Sequence, residues 1–202
     1  MQVPIEKIQK IVTLDQVMDC FFDGGLAGYA GGGKYVPILG IPGMKSFIQT
    51  YEMPEPGSAL VYNDAYGSVG PESFGFTTIT LATHGGYEQT PIWEMQYEGR
   101  EFSDDKAVIS LLKKALLATY SEKIFYGGRG PARYTSPNFS GLTYMNRLVI
   151  QGRGSNFRHF RGQEVVNGSA CSMKFCYNYS GKLLVPLNAS PHEKGYDETR
   201  MP

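Results

Sequence analysis

The chain carries no net charge. Nineteen Lys and Arg offset nineteen Asp and Glu over 202 residues, so no global field draws it toward duplex nucleic acid or an anionic membrane, and any anion site must be local. Long hydrophobic runs are also missing: no stretch approaches the roughly 18 apolar residues of a bilayer-spanning helix. The amino terminus, MQVPIEKIQKIV, breaks its apolar residues with charges and offers no small-residue cleavage site, so the expectation is a cytoplasmic protein without membrane contact. Cysteine is scarce. Cys20, Cys171 and Cys176 are odd in number and contain no C-x-x-C pair, which removes the usual zinc and redox-dithiol patterns and leaves buried reduced thiols as the reading. His84, His159 and His192 lack metal-ligand spacing and no G-x-S-x-G elbow occurs, so no metal or cofactor is expected.

What is present is enough for a packed core: 42% hydrophobic residues, with 11 Phe and 14 Tyr. Leu14, Val17, Met18, Phe21 and Phe22 follow helical spacing after a Thr13/Gln16 capping box, and the helix must end near Gly24 to Gly28. A second helix is announced by Asp104 and Asp105 and continues through Val108, Leu111, Leu112, Ala115 and Leu116, with Lys113 and Lys114 off the stripe. Strand patterns occupy Phe74 to Leu81, 93-WEMQYEGR-100, Met145 to Gln151, Phe160 to Val166 and 173-MKFCYNYSGK-182.

Two of these segments match. Trp93-x-Met95-x-Tyr97-x-Gly99-Arg100 and Phe175-x-Tyr177-x-Tyr179-x-Gly181-Lys182 place aromatic or apolar residues, glycine and a base in one order, and Phe74 is set against Phe160 in the same register. The expected fold is therefore α+β: two tandem related units, each a helix packed on an antiparallel sheet in a cystatin-like layer arrangement. The first unit spans 1–102, the second 103–185, and a polar tail 186–202 lies over the surface or is disordered. Residues 37–57, dense in Pro and Gly, read as an insertion forming an ordered surface loop around Phe47, Ile48 and Tyr51.

Several stretches resemble the bacterial domain-of-unknown-function family 5680. The helix end running into Tyr29-Ala30-Gly31, the strand Pro91-Ile92-Trp93-Glu94-Met95-Gln96-Tyr97-Glu98-Gly99, the turn Arg129-Gly130-Pro131 and the strand Phe160-Arg161-Gly162-Gln163-Glu164 carry the likeness. It covers roughly residues 17 to 185 and implies no activity. The family's F-x-G-x-E element is incomplete in the first half, where Phe74-Gly75-Phe76-Thr77-Thr78 has no glutamate, so Glu164 stands alone.

The stretch 28-GYAGGGKY-35 fits G-x-x-x-x-G-K, the phosphate-binding loop, but its context does not. A helix precedes it, Tyr35 replaces the hydroxyl residue, and Pro37, Gly40 and Pro42 prevent a following helix. A glycine-capped helix end, with glycines at positive φ, is the plainer reading. Both helices, however, run into an aromatic, glycines and a base: Tyr29, Gly31 to Gly33 and Lys34, then Tyr126, Gly127, Gly128 and Arg129, extended by Arg133 and Tyr134. Exposed amides beside a base can form an anion nest. Arg161, among Arg153, Arg158, His159, Phe157 and Phe160, belongs either to a solvated edge strand or to a stacking surface. Phe160, Gly162 and Glu164 share one strand face, with His159 and Arg161 on the other. Glu164 reads as a partner for Arg or Tyr, then as a ligand contact, then as a raised-pKa acid. Trp93, Tyr97 and Tyr179 complete the candidate set. The function expected is non-catalytic binding of a small anionic or nucleotide-derived ligand, at a junction of repeats or of subunits in a homo-oligomer, sequestration of a signalling nucleotide being one form. The alternatives are a hydrolase or lyase acting through Glu164, and a protein-interaction module.

Overall fold

The structure, a computed structural model, describes residues 3–149 and 155–188. A short helix that the sequence reading did not anticipate, α1 (Ile5–Ile11), follows Pro4 and buries Ile8. The next helix, α2 (Leu14–Ala27), starts where the capping box places it: Thr13 Oγ1 accepts from the Gln16 amide and the Gln16 side chain accepts from the Thr13 amide at 2.8 Å. In the second half α3 (Lys106–Glu122) opens on Asp105, whose carboxylate accepts from the Ala107 amide at 2.9 Å. It closes on Lys123 in the left-handed conformation, and that side chain pairs with Asp19 and Asp23 of α2 at 3.1 and 2.9 Å.

The strands are β1 (Val36–Pro37), β2 (Met44–Glu52), β3 (Ala59–Val69), β4 (Glu72–Thr83), β5 (Glu88–Glu101), β6 (Arg133–Tyr134), β7 (Thr143–Leu148), β8 (His159–Asn167) and β9 (Met173–Leu183). They form one antiparallel sheet in the order β1-β2-β3-β4-β5-β9-β8-β7-β6, with β5 and β9 paired at its centre. The architecture is α+β, with three α-helices and a nine-stranded sheet among the described residues.

Alternation along each strand sends one set of side chains to the helices and the other to an open face. Tyr62, Asp64, Ile79, Trp93, Tyr97, Phe160, Glu164, Phe175 and Tyr179 belong to the inner set. Phe21 of α2 packs on Trp93, Tyr120 and Phe157 at ring distances of 5.1, 5.5 and 5.6 Å. Trp93 stacks on Phe157 at 5.0 Å and donates its indole N–H to the Phe157 carbonyl at 3.1 Å. Each such fully buried large side chain contributes about 1.5–3 kcal/mol relative to exposure.

Several expectations change. The 37–57 stretch is not a loop throughout, since Met44–Glu52 is strand β2, paired along its length with β3. The seventh strand ends at Leu148, and 150–154 lie outside the described residues. Phe74 and Phe160 face opposite ways: Phe74 pairs with Glu98 and is 43% exposed, whereas Phe160 pairs with Gly181 and is fully buried. A one-residue register difference has this effect because side chains alternate with period two. Of the three thiols only Cys20 is buried, and Cys171 is exposed. At the start of the expected polar tail, Leu187 is buried and the Pro186 carbonyl accepts from Gln9 of α1 at 2.8 Å. Residues 189–202 lie outside the description.

Candidate functional site

The turn after α3 carries a charge into the interior. Gly127 adopts φ +79°, and a Cβ on Gly128 or Gly130 would meet the hydroxyl of Tyr179 at 2.0 Å or of Tyr144 at 2.2 Å. Only glycine permits that approach. The Gly127 carbonyl accepts from Ser155 at 2.7 Å and the Gly130 carbonyl from Asn146 at 2.8 Å. Held this way, Arg129 is 6% exposed, with its guanidinium 4.7 Å from the centre of the Tyr97 ring.

Its counter-charge is Glu164, 0% exposed, at 3.4 Å from Nη1, and Tyr144 donates to the other carboxylate oxygen at 2.7 Å. Burial opposes the Arg129 charge, but Glu164 and the surrounding Tyr120, Tyr97 and Asp64 outweigh it and hold the guanidinium firmly ionised. Satisfaction is incomplete: Nε and Nη1 of Arg129 and Oε2 of Glu164 have no hydrogen-bond partner among the described residues. Unmatched buried donors are uncommon and call for a cause.

A second buried acid lies across the sheet. Asp64 of β3 accepts from Thr77 and Tyr97, each at 2.9 Å, and from Tyr35 through its other oxygen. The registers place Tyr97 beside Gly75 and Tyr179 beside Gly162, and the Tyr179 hydroxyl donates to Asn146 as that of Tyr97 does to Asp64.

Between these groups and α3 lies a cavity of 320 Å³. Tyr29, Asp64, Tyr66, Ser68, Gly70, Ser73, Tyr97, Glu101, Ile109, Leu112, Lys113, Arg129 and Tyr177 line it. Lys113 sits 4.7 Å over the Tyr29 ring, and Tyr29 meets Tyr66 edge-on. Burial pushes the phenols of Tyr29, Tyr97 and Tyr177 up, so they remain protonated. Burial and then the neighbouring Asp104 raise Glu101 above its ordinary value. The wall thus offers two cations, two carboxyl groups, several hydroxyls and a small apolar patch.

The candidates from sequence divide. Tyr29, Tyr97 and Arg129 meet in this cavity, with Glu164 and Tyr179 immediately behind its wall. Trp93 is sealed in the core at 0% exposure and Tyr134 packs at the core's edge. The Tyr126 hydroxyl donates to Glu122 at 2.5 Å. Lys34 and Arg133 are exposed. Arg161 lies on the open face with His159, Phe74 and Phe76, along a separate groove of 790 Å³. The two turns are not equivalent. Near the first turn the Gly33 amide bonds the Gly28 carbonyl at 2.8 Å, and only Gly32 among Gly28 to Gly33 has positive φ. Of the second turn it is Arg129 that lines the cavity. Asp64, Tyr66, Ser73, Glu101, Lys113 and Tyr177 were missed as site residues. Their one shared signal was polar character at inward-facing positions of strands and at the edge of the α3 stripe.

The chain matches no family model, no curated protein and no solved structure. The site must therefore be read from its own chemistry. Among the described residues no group of His, Cys, Asp and Glu is arranged to hold a metal, and no helix is long and apolar enough to cross a membrane.

Proposed function

We propose that this protein is a non-catalytic binder of a small polar ligand bearing an acidic group, held in the cavity beneath α3. The carrying observation is the ionised, nearly buried Arg129 in the wall of this cavity, whose ion pair with Glu164, at 3.4 Å, is longer than a good hydrogen bond. A ligand carboxylate or phosphate reaching the cavity side of that guanidinium would complete its pairing, in surroundings where charge-assisted hydrogen bonds are strong. The volume of 320 Å³ sits near the lower end of small-molecule sites, about 300–1,000 Å³. Tyr29, Tyr66, Tyr97 and Tyr177 supply ring faces and hydroxyls for the rest of the molecule. A nucleotide-derived ligand remains one form of this reading.

The enzyme alternative through Glu164 has less support. That carboxylate is paired with Arg129 and Tyr144 and does not line the cavity, so it lacks access to a substrate. We also propose that the two halves derive from one duplicated helix-and-sheet unit, as the likeness to family 5680 and the paired Tyr97/Gly75 and Tyr179/Gly162 contacts suggest. On that view the cavity lies where the halves meet, since β3, β5, α3, the second turn and β9 all contribute.

The test is calorimetry and thermal unfolding against a panel of small organic acids and nucleotides. A ligand at a hundred times its dissociation constant stabilises by about 2.7 kcal/mol, readily seen as a raised Tm. The shift should vanish in Ser73→Phe, which fills the cavity, and the recovered ligand should be chemically unchanged. A ligand recovered altered would establish turnover instead.

A further inference from the structure

The hairpin joining β1 to β2 turns apolar side chains to solvent. Leu39 at its tip is 100% exposed, and Val36 and Ile41 on either side are 52% and 49% exposed. The turn from β3 to β4 lies beside it and presents Val69, 72% exposed, two residues beyond Gly67, the partner of Met44. Single exposed aliphatics are ordinary on a protein surface, but four on two adjacent turns make a projecting apolar corner. The hairpin also needs little water. Ile38 donates to the Met44 carbonyl at 3.0 Å, Ile41 to that of Ile38 at 3.2 Å and Met44 to that of Ile41 at 3.3 Å, while Pro37 and Pro42 carry no amide hydrogen. Its charges are of one sign. From Gly24 to Tyr51 the chain contains no Asp or Glu, and the charged residues there, Lys34 and Lys45, flank the hairpin and are exposed. Glu72, which follows Val69, is paired with Arg100 at 3.2 Å, and Asp104 and Asp105 come after β5, three strands away from β2.

We infer that this corner docks on a lipid surface carrying anionic headgroups, with the turn 38–43 entering the boundary between headgroups and acyl chains. Leu39, Ile41, Val36 and Val69 supply the apolar area, and Lys34 and Lys45 remain at headgroup level against the phosphates. A turn that satisfies much of its own backbone, and uses proline where it does not, strands few donors on leaving water, which is the condition lipid imposes. A protein partner is less well served. The sheet edge here is two residues long, Val36–Pro37, and Pro37 offers no donor, so it is a poor template for a strand of another chain. Overall neutrality does not oppose lipid docking, because headgroup charge acts within about a Debye length, roughly 10 Å, and so on the nearest lysines alone. Two weak signals combine, and the association is reversible.

Flotation of the full chain with phosphatidylcholine vesicles, with and without phosphatidylserine, tests this. The wild type should bind the vesicles that contain phosphatidylserine. Leu39→Asp, at a fully exposed position, should keep the wild-type Tm and lower the partition coefficient about ten-fold or more. Ile48→Asp adds the same charge to another exposed aliphatic of β2, four residues beyond Met44 and outside the corner, and should stay within about three-fold of wild type. Lys34→Gln with Lys45→Gln should cost roughly five-fold per lysine on anionic vesicles and remove their advantage over neutral ones. Absence of binding to either vesicle overturns the inference, as does an equal loss in Leu39→Asp and Ile48→Asp. Light scattering without lipid covers the remaining occupant: a wild-type dimer that Leu39→Asp converts to monomer would assign the corner to a second copy of the chain and overturn the lipid assignment.

Discussion

Two glycines on the inner face of the sheet have very different neighbours. Gly99 of β5 lies between Ser73 and Tyr177, and Gly181 of β9 lies between Met95 and Phe160. Around Gly181 the space is filled: the Phe160 ring would lie 2.2 Å from a Cβ there and stacks on Trp93 at 5.8 Å. At Gly99 a Cβ would be as crowded, by the Tyr177 ring at 2.2 Å, but its other neighbour is the small Ser73, and the cavity lined by Ser73 and Tyr177 opens on that side, with Glu101 at the end of the same strand. Backbone geometry alike in both places gives a sealed core in one and a polar chamber in the other. Side-chain volume and polarity at a few inward positions decide which. Each cross-strand row also carries a buried acid: Asp64, satisfied by three hydroxyls, lies in the row of Gly181, and Glu164, satisfied by one hydroxyl and an imperfect ion pair, in the row of Gly99.

The largest effects should come from emptying the row of Gly181 at Phe160 and from unpairing the acid in the row of Gly99. Phe160→Ser, giving it the residue found beside Gly99, should cost about 3–5 kcal/mol through lost burial and an unfilled cavity, measured by urea unfolding. A cost below about 1 kcal/mol would show that the two flanks are interchangeable. Glu164→Ala strands the buried Arg129 charge and should cost about 3–5 kcal/mol. Replacing both partners with apolar residues, Arg129→Met with Glu164→Leu, should recover most of that loss, as pairs of this kind often do. No recovery would mean that the pair contributes more than it costs to bury.

How far the sequence discloses this difference varies by element. The capping box at Thr13 and Gln16, the apolar stripe of α3 and the alternation in β5, β8 and β9 are local patterns, and each corresponds to an observed element. The shared face of Phe160, Gly162 and Glu164, and the pairing of Glu164 with Arg and Tyr, follow from the same period-two logic. β2 and β3 are harder to see. β2 is flanked by Pro42, Gly43, Pro54 and Pro56, which read as loop chemistry, and β3 directs Asp64 and Ser68 inward where a strand ordinarily turns apolar residues. The pairing of Phe74 with Phe160 was misleading because similar residues a few positions from a motif carry no register information. The cavity depends on contacts between α3, β3 and β9, far apart in the chain, and no local pattern encodes an empty space.

The acid in the row of Gly181, Asp64, should respond less than Glu164. Asp64→Asn places there the residue type that stands at Asn146, but Asn146 donates to the Gly130 carbonyl, whereas Asp64 is surrounded by hydroxyl donors. One amide N–H₂ would face those donors unmatched, at a cost of about 1–3 kcal/mol. Equal stability of variant and wild type in urea would show that the hydroxyls turn freely to suit either residue. Smaller still is Ser73→Phe. Its ring enters existing space, so unfolding free energy should change by no more than about 1 kcal/mol, while ligand-induced stabilisation disappears. Retained binding in a natively stable variant would move the ligand out of this cavity.

The smallest effect concerns Glu101, which faces the cavity where Leu183 closes the corresponding row beside Trp93. Burial, then Asp104, raises its folded pKa above the ordinary 4.5. The native state therefore binds this proton more tightly than the unfolded chain does. The associated stability is fully present below the unfolded value and is lost as pH rises through the folded one. Glu101→Gln has no proton to lose, so the variant should gain stability relative to wild type from about pH 4 upward and then hold a constant difference. Urea unfolding of both proteins from acid to neutral pH reads this directly. The group is mostly exposed, so solvent screening keeps the change small, but its sign is fixed. A relative loss by Glu101→Gln with rising pH would mean that Glu101 already has a cationic partner in the free protein, Lys113 being one candidate on the cavity wall. Glu101 would then be satisfied before any ligand arrives.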